Sequence, residues 1–221
     1  MSFKLTISHP WNVNIAEAKR IQLDLAQRVI LEDQFEIPRF VAGVDVGFEQ
    51  NGNVTRAAIV VLHYPDLSLA DQSLVRSKTV FPYIPGYLSF RELPAVLQAL
   101  DNLRIIPDMF LCDGQGIAHP RRLGIACHLG VLTNIPSIGV AKSRLIGTYQ
   151  EPGPTKGDFS MLYDNGAPIG QVLRTRNDVK PLFVSPGHRV SITSASLWTL
   201  NCITRYRLPE TTRKAHQLAS G

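Results

Sequence analysis

An aspartate in the middle of an otherwise apolar strand is the feature that most restricts this chain. Phe40-Val-Ala-Gly-Val-Asp-Val-Gly-Phe48 reads as a buried strand, and Asp45 stands between two valines within it. A carboxylate left unpaired in such surroundings is strongly disfavoured, so the fold must bring something to it. The flanking residues set the local topology. Asn51-Gly52 signals a hairpin turn and Thr55 to His63 a returning strand. Leu69 to Phe81, after a turn at Pro65-Asp66, offers a third strand. Three strands joined by short turns predict an antiparallel meander.

Upstream, Ile15 to Ile30 carries a helical stripe of Ala18, Ile21, Leu25 and Val29, and Asn14 with Glu17 forms a capping-box pattern. Downstream the periodicity alternates. Phe90 to Leu103 reads as helix, Pro107 to Cys112 as strand, Leu123 to Leu132 as helix and Pro136 to Val140 as strand. A meander followed by α–β units predicts an α/β fold, a mixed sheet flanked by helices. Glu151 to Asp158 is a loop, followed by short strands at Ile169–Leu173 and Leu182–Ser185, a helix from Ser191 and a last helix near Thr211. At 221 residues, 44% of them hydrophobic and 19% charged, the chain suits one globular domain spanning residues 1–221.

Several function classes fall away. The longest apolar run, Ala57 to Leu62, is far short of the roughly 18 residues that span a bilayer, so no membrane role is expected. No secretory signal is visible, and Cys112, Cys127 and Cys202 form no C-x-x-C pair, so a reducing cytoplasm is the expected setting. Nothing points to an obligate protein partner. The net charge of +5 is unevenly placed: residues 1–110 sum to −2 and residues 111–221 to +7. That asymmetry suits an anionic partner, nucleic acid before membrane.

Two further carboxylates are out of place beside Asp45. Asp113 closes the apolar run Met109 to Cys112, at the carboxyl end of its strand, where open α/β sheets hold their ligands. Glu92 falls in the first turn of the helix that begins near Ser89. Separately, each has an ordinary explanation: an arginine partner for Asp45, a favourable helix N-terminus for Glu92, a turn cap for Asp113. Together, with no C-x-x-C pair and few His nearby, they suit a hard cation, Mg²⁺ or Mn²⁺. Beside a basic half, that indicates metal-dependent phosphodiester chemistry. His119, in His-Pro-Arg-Arg, and Lys142 stand at strand ends where cations could hold phosphates. Pro82-Tyr83-Ile84-Pro85 is an apolar loop stiffened by two prolines, suited either to packing or to wedging into a base stack.

At these residues the chain resembles the endonuclease V family of deoxyinosine-specific nucleases. The matching blocks are Val41 to Phe48, Thr55 to Ala58, Pro82 to Glu92, Asp113 to Gly124, Ile138 to Lys142, Gly187 to Ser191 and Tyr206 to Glu210. Residues 1–14 match none of them and read as a variable N-terminal extension. The resemblance implies a ribonuclease H-like fold and cleavage of the second phosphodiester bond 3′ to inosine, leaving 3′-hydroxyl and 5′-phosphate ends. It implies that Asp45, Glu92 and Asp113 bind Mg²⁺, with Mn²⁺ able to substitute, and that His216 acts beside the metal. Tyr83 would head a strand-separating wedge of Pro82 to Pro85, and His119 and Lys142 would lie near the cleaved phosphate. Backbone around Leu88, Gly114, Ile125 and Gly139 would line the base pocket. The expected partner is deoxyinosine-containing DNA, single- or double-stranded. Inosine-containing RNA and a catalytically silent inosine-binding module are the alternatives.

Overall fold

Alternate residues of the strand that carries Asp45 bury themselves on opposite faces of the sheet, and that alternation decides where the helices go. The computed structural model describes residues 3–221. The chain runs α1 (Ile15–Ala26), β1 (Phe40–Glu49), β2 (Val54–His63), β3 (Leu69–Lys78), α2 (Leu88–Asp101) and β4 (Met109–Cys112). It continues through α3 (Ile125–Thr133), β5 (Ser137–Ala141), β6 (Phe159–Asp164), β7 (Ala167–Leu173), β8 (Leu182–His188), α4 (Ile192–Asn201) and α5 (Glu210–Ser220). Ala42 and Val44 of β1 join Phe110 and Cys112 of β4 in a core with Leu93, Leu100 and Leu129 from α2 and α3. Val41, Met109 and Leu111 point the other way, into a core with Ala195 and Trp198 of α4 and Ala215 of α5.

The eight strands form one sheet in the order β3-β2-β1-β4-β5-β8-β7-β6. β1, β2 and β3 are the expected antiparallel meander, β1, β4 and β5 run parallel, and β8, β7 and β6 add antiparallel neighbours. This is the mixed sheet flanked by helices that the sequence pattern predicts, and the ribonuclease H-like class that the resemblance implies. No helix among the described residues is long and apolar enough to cross a membrane. All three cysteines are free and buried.

Several boundaries differ from the sequence expectation, each for a tertiary reason. α1 stops at Ala26 instead of continuing to Ile30, because the following chain is drawn off: the Ile30 carbonyl accepts from Arg189 N–H at 2.7 Å. Its start is as expected, with Asn14 Oδ1 accepting from Glu17 N–H and Glu17 Oε2 from Asn14 N–H, both at 2.9 Å. β8 continues through Pro186-Gly187 to His188, carried by a register shift against Ser137 of β5. β6 was missed altogether. It is the outer strand, with Phe159 55% and Tyr163 43% exposed, so it lacks a clean apolar face. Its local signal was the Asn165-Gly166 turn, both residues at positive φ, that folds it onto β7. Residues 3–14 do not stand away from the fold: Thr6 N–H donates to the Leu132 carbonyl at 2.8 Å, and Phe3 N–H to Asp101 Oδ1 at 2.8 Å.

Candidate active site

Parallel pairing sets Val44 opposite Cys112, so the next residues of the two strands, Asp45 and Asp113, emerge side by side. The Asp113 N–H extends the ladder, donating to the Val44 carbonyl at 2.9 Å. Asp45 shares the face of Val41 and Gly43, the face that α5 covers. α5 lies very close here, since a Cβ on Gly43 would fall 1.9 Å from the Thr211 carbonyl oxygen. That close approach brings His216 to Asp45, with Nδ1 2.7 Å from Oδ2. One ligand atom from each of Asp45, Asp113 and His216 lies within 4.8 Å of the other two.

α2 begins at Leu88, one residue before Ser89, which puts Glu92 just past the first turn. Glu92 lies outside that trio but is buried, 7% exposed. Burial, then the charges of Asp45 and Asp113, hold its carboxyl well above the usual carboxylate range. Asp45 is raised too, by burial first and Asp113 second, against the pull of its hydrogen bond to His216. Lys142, the residue after β5, reaches back with Nζ 2.5 Å from Asp113 Oδ2. The result is a compact set of oxygen donors that repel one another, partly offset by one ammonium and one imidazole. Its donor chemistry fits a hard divalent cation.

Beside the carboxylates lies a cavity of about 380 Å³, within the usual range of ligand pockets. Asp113 belongs to both the cluster and the cavity wall. Leu88, Gly114 and Ile125 line it. Gly139, which the resemblance also places at the pocket, is not in that wall: it lies behind it, where a Cβ would strike Gly116 N at 2.2 Å. Its glycine lets the loop after β4 lie flat on β5. Arg144 and Leu145, not anticipated, complete the wall from the loop after β5. The apolar loop overhangs the cavity, with Tyr83, Ile84 and Pro85 in its wall, Pro82 exposed alongside, and Tyr83 69% exposed.

His119 lies in the same wall but is committed internally. Its Nδ1 accepts from Arg121 N–H at 3.2 Å, so Nε2 carries the hydrogen and donates to the Gly86 carbonyl at 3.1 Å. Burial and the neighbouring Arg121 push its pKa down to about 4, so the ring is neutral. The Gly86 carbonyl also accepts from Gln22 Nε2 at 2.9 Å and from Arg121, so the base of the Tyr83 loop is held from α1 and from the segment after β4. In this geometry Lys142 is paired with Asp113, and His119 braces the loop.

The comparisons with known proteins agree with one another. The family model for endonuclease V matches residues 23–217. An endonuclease V of Trichormus variabilis is 57% identical over 213 residues, covering 96% of this chain and 96% of its own. The crystal structure of an endonuclease V from Streptomyces avermitilis superposes with a TM-score of 0.91 at 42% identity, covering 100% of this chain and 96% of that one. A Ciona intestinalis endonuclease V, solved with a 24-mer DNA containing an inosine followed by a ribo-adenosine, superposes with a TM-score of 0.80 at 30% identity, covering 93% and 96%.

Proposed function

The chain belongs to the endonuclease V family, and we propose that it is a metal-dependent DNA repair endonuclease acting on deoxyinosine. It cleaves the second phosphodiester bond 3′ to the inosine, leaving a 3′-hydroxyl and a 5′-phosphate. Residues 1–221 act as one catalytic domain in this reading. The observation that carries it is the shared wall: Asp113 belongs both to a cluster of potential metal ligands and to a cavity of base-accommodating size under an exposed tyrosine. The ligand of the Ciona intestinalis relative supports inosine as the recognised base.

Asp45, Glu92 and Asp113 would hold Mg²⁺, with Mn²⁺ as substitute, and the bound cation would lower the pKa of a water and neutralise charge on the phosphate. The protein supplies the rest. With Nδ1 donating to Asp45 Oδ2, a neutral His216 ring would present Nε2 as the acceptor for a proton of the attacking water. Lys142 places its ammonium beside the phosphate at the end of β5. The cavity walls receive the extruded base, and Tyr83 takes the space that the base leaves in the stack.

The ribo-adenosine that follows the inosine in that relative's ligand favours inosine-containing RNA as a second reading. One experiment tests both: purified protein with Mg²⁺ is incubated with matched inosine-containing DNA and RNA strands and the cut is mapped. DNA cut at the second bond 3′ to inosine is the expected result. A cut in RNA alone would select the second reading, and binding without a cut in either would indicate a silent binding module.

Tyr83→Ala should impair recognition more than chemistry. Flipping a base costs a few kcal/mol, least where the base is already single-stranded, and an intercalated ring offsets part of that cost on a duplex. Single-turnover cleavage should therefore fall about tenfold more on duplex than on single-stranded inosine DNA, for a stacking contribution of roughly 1–3 kcal/mol. Equal losses on both would mean that the ring does not act as a wedge.

A further inference from the structure

One wall of the cavity carries a polar group that neither base stacking nor metal chemistry uses. Ser89 lines the cavity and is 4% exposed. Its Oγ lies 2.9 Å from His128 Nδ1, His128 Nε2 lies 2.7 Å from His9 Nε2, and His9 Nδ1 lies 2.9 Å from the Pro10 carbonyl oxygen. The last contact sets the direction of all the others. A carbonyl only accepts, so His9 Nδ1 carries the hydrogen. A neutral His9 then has a bare Nε2, which accepts from His128 Nε2–H. His128 Nδ1 is bare in turn and accepts the hydroxyl proton of Ser89. Burial keeps both rings neutral, holding His128 well below the usual histidine range and lowering His9. Trp11 stacks on His128 at 5.6 Å and Phe90 meets it edge-on at 5.2 Å, which holds the ring in place.

We propose that this relay, from Pro10 through His9 and His128, fixes Ser89 Oγ as a hydrogen-bond acceptor at the base cavity and makes Ser89 a specificity-determining residue that selects a 6-oxopurine by its ring N1–H. The proposal rests on the reading of the cavity as an inosine pocket. A free hydroxyl both donates and accepts, and would serve the N1–H of hypoxanthine and the bare N1 of adenine alike. With its proton committed to His128, Ser89 offers only lone pairs. Hypoxanthine in a nucleoside has one N–H donor, at N1, whereas adenine has a lone pair there. The acceptor attracts the first and repels the second. Residues 9, 89 and 128 come from the N-terminal segment, α2 and α3, so the N-terminal segment gains a part in base selection.

The test measures binding of the full chain, in EDTA so that nothing is cut, to matched single strands carrying inosine, adenine or unsubstituted purine at one position. The purine base lacks the N1–H. Ser89→Ala should weaken binding of the inosine strand about tenfold, the loss of one hydrogen bond, and weaken neither the adenine nor the purine strand, whose bare N1 the acceptor repels. His9→Ala frees the His128 tautomer and should lower the inosine-to-purine preference in the same direction. The double variant should be no worse than Ser89→Ala, and Ser89→Thr, which keeps the hydroxyl, should retain the preference. An unchanged preference in Ser89→Ala, or in His9→Ala, would overturn the relay, as would losses that multiply in the double variant. A wild-type protein with no preference for inosine over adenine would overturn the functional reading, and the relay with it.

Discussion

Asp113→Asn is expected to reduce cleavage of inosine DNA by about 10³-fold or more while the protein still binds that DNA. The amide keeps the shape of the side chain but replaces a hard anionic ligand with a group that holds a divalent cation poorly. Asp113 is also the carboxylate nearest the cavity, so this site couples the metal to the flipped nucleotide. The base pocket and Tyr83 are untouched, and Lys142, released from its 2.5 Å contact, becomes freer to meet a phosphate. Nicking and gel shift on one inosine duplex separate the two effects, with thermal unfolding to show that the variant is folded. Near wild-type nicking by a folded Asp113→Asn protein would sink the metal-site assignment.

Glu92→Gln should abolish cleavage to a comparable extent and yet stabilise the metal-free protein at neutral pH. The cause is the position of Glu92: burial and the charges of Asp45 and Asp113 raise its folded pKa well above the ordinary value of 4.5. Between those two values the native state binds a proton that the unfolded state has lost, so stability falls as pH rises through that window. In EDTA the contribution of Glu92 to the melting temperature should therefore decline as pH rises above about 4.5, and the difference between Glu92→Gln and the wild type should grow in favour of the variant over the same rise. Added Mg²⁺ should recover stability most at the upper end, where the carboxylates are ionised and free to bind it. A melting temperature of Glu92→Gln that tracks the wild type at every pH would show that Glu92 carries no such penalty.

The carboxylates were legible because they break a local rule. Asp45 and Asp113 each interrupt or end an apolar run, and a buried charge advertises itself against any one-dimensional pattern. The meander was legible because Asn51-Gly52 and Pro65-Asp66 punctuate strands with apolar faces. β6 was not, because an edge strand with exposed Phe159 and Tyr163 satisfies neither face rule. His216 has no local signal at all. It lies in a polar, amphipathic helix, and only resemblance singled it out.

By itself, then, the sequence determined the α/β class, the meander, the three acidic positions and the proline-stiffened apolar loop, since each is written in spacing of a few residues. Only the tertiary structure decided which of those groups meet. The register Val44–Cys112 sets Asp45 beside Asp113, and Gly43 admits α5 so that His216 arrives. Glu92 stands buried beside that trio rather than in it, Gly139 lies in the packing behind the pocket wall, and His119 is bonded internally to the base of the Tyr83 loop. His9, Ser89 and His128 joined into a chain of hydrogen bonds that no periodicity announces. The reason is physical: periodicity reports the face on which a residue lies, whereas hydrogen-bond partners 39 and 119 residues apart are chosen by how the layers pack.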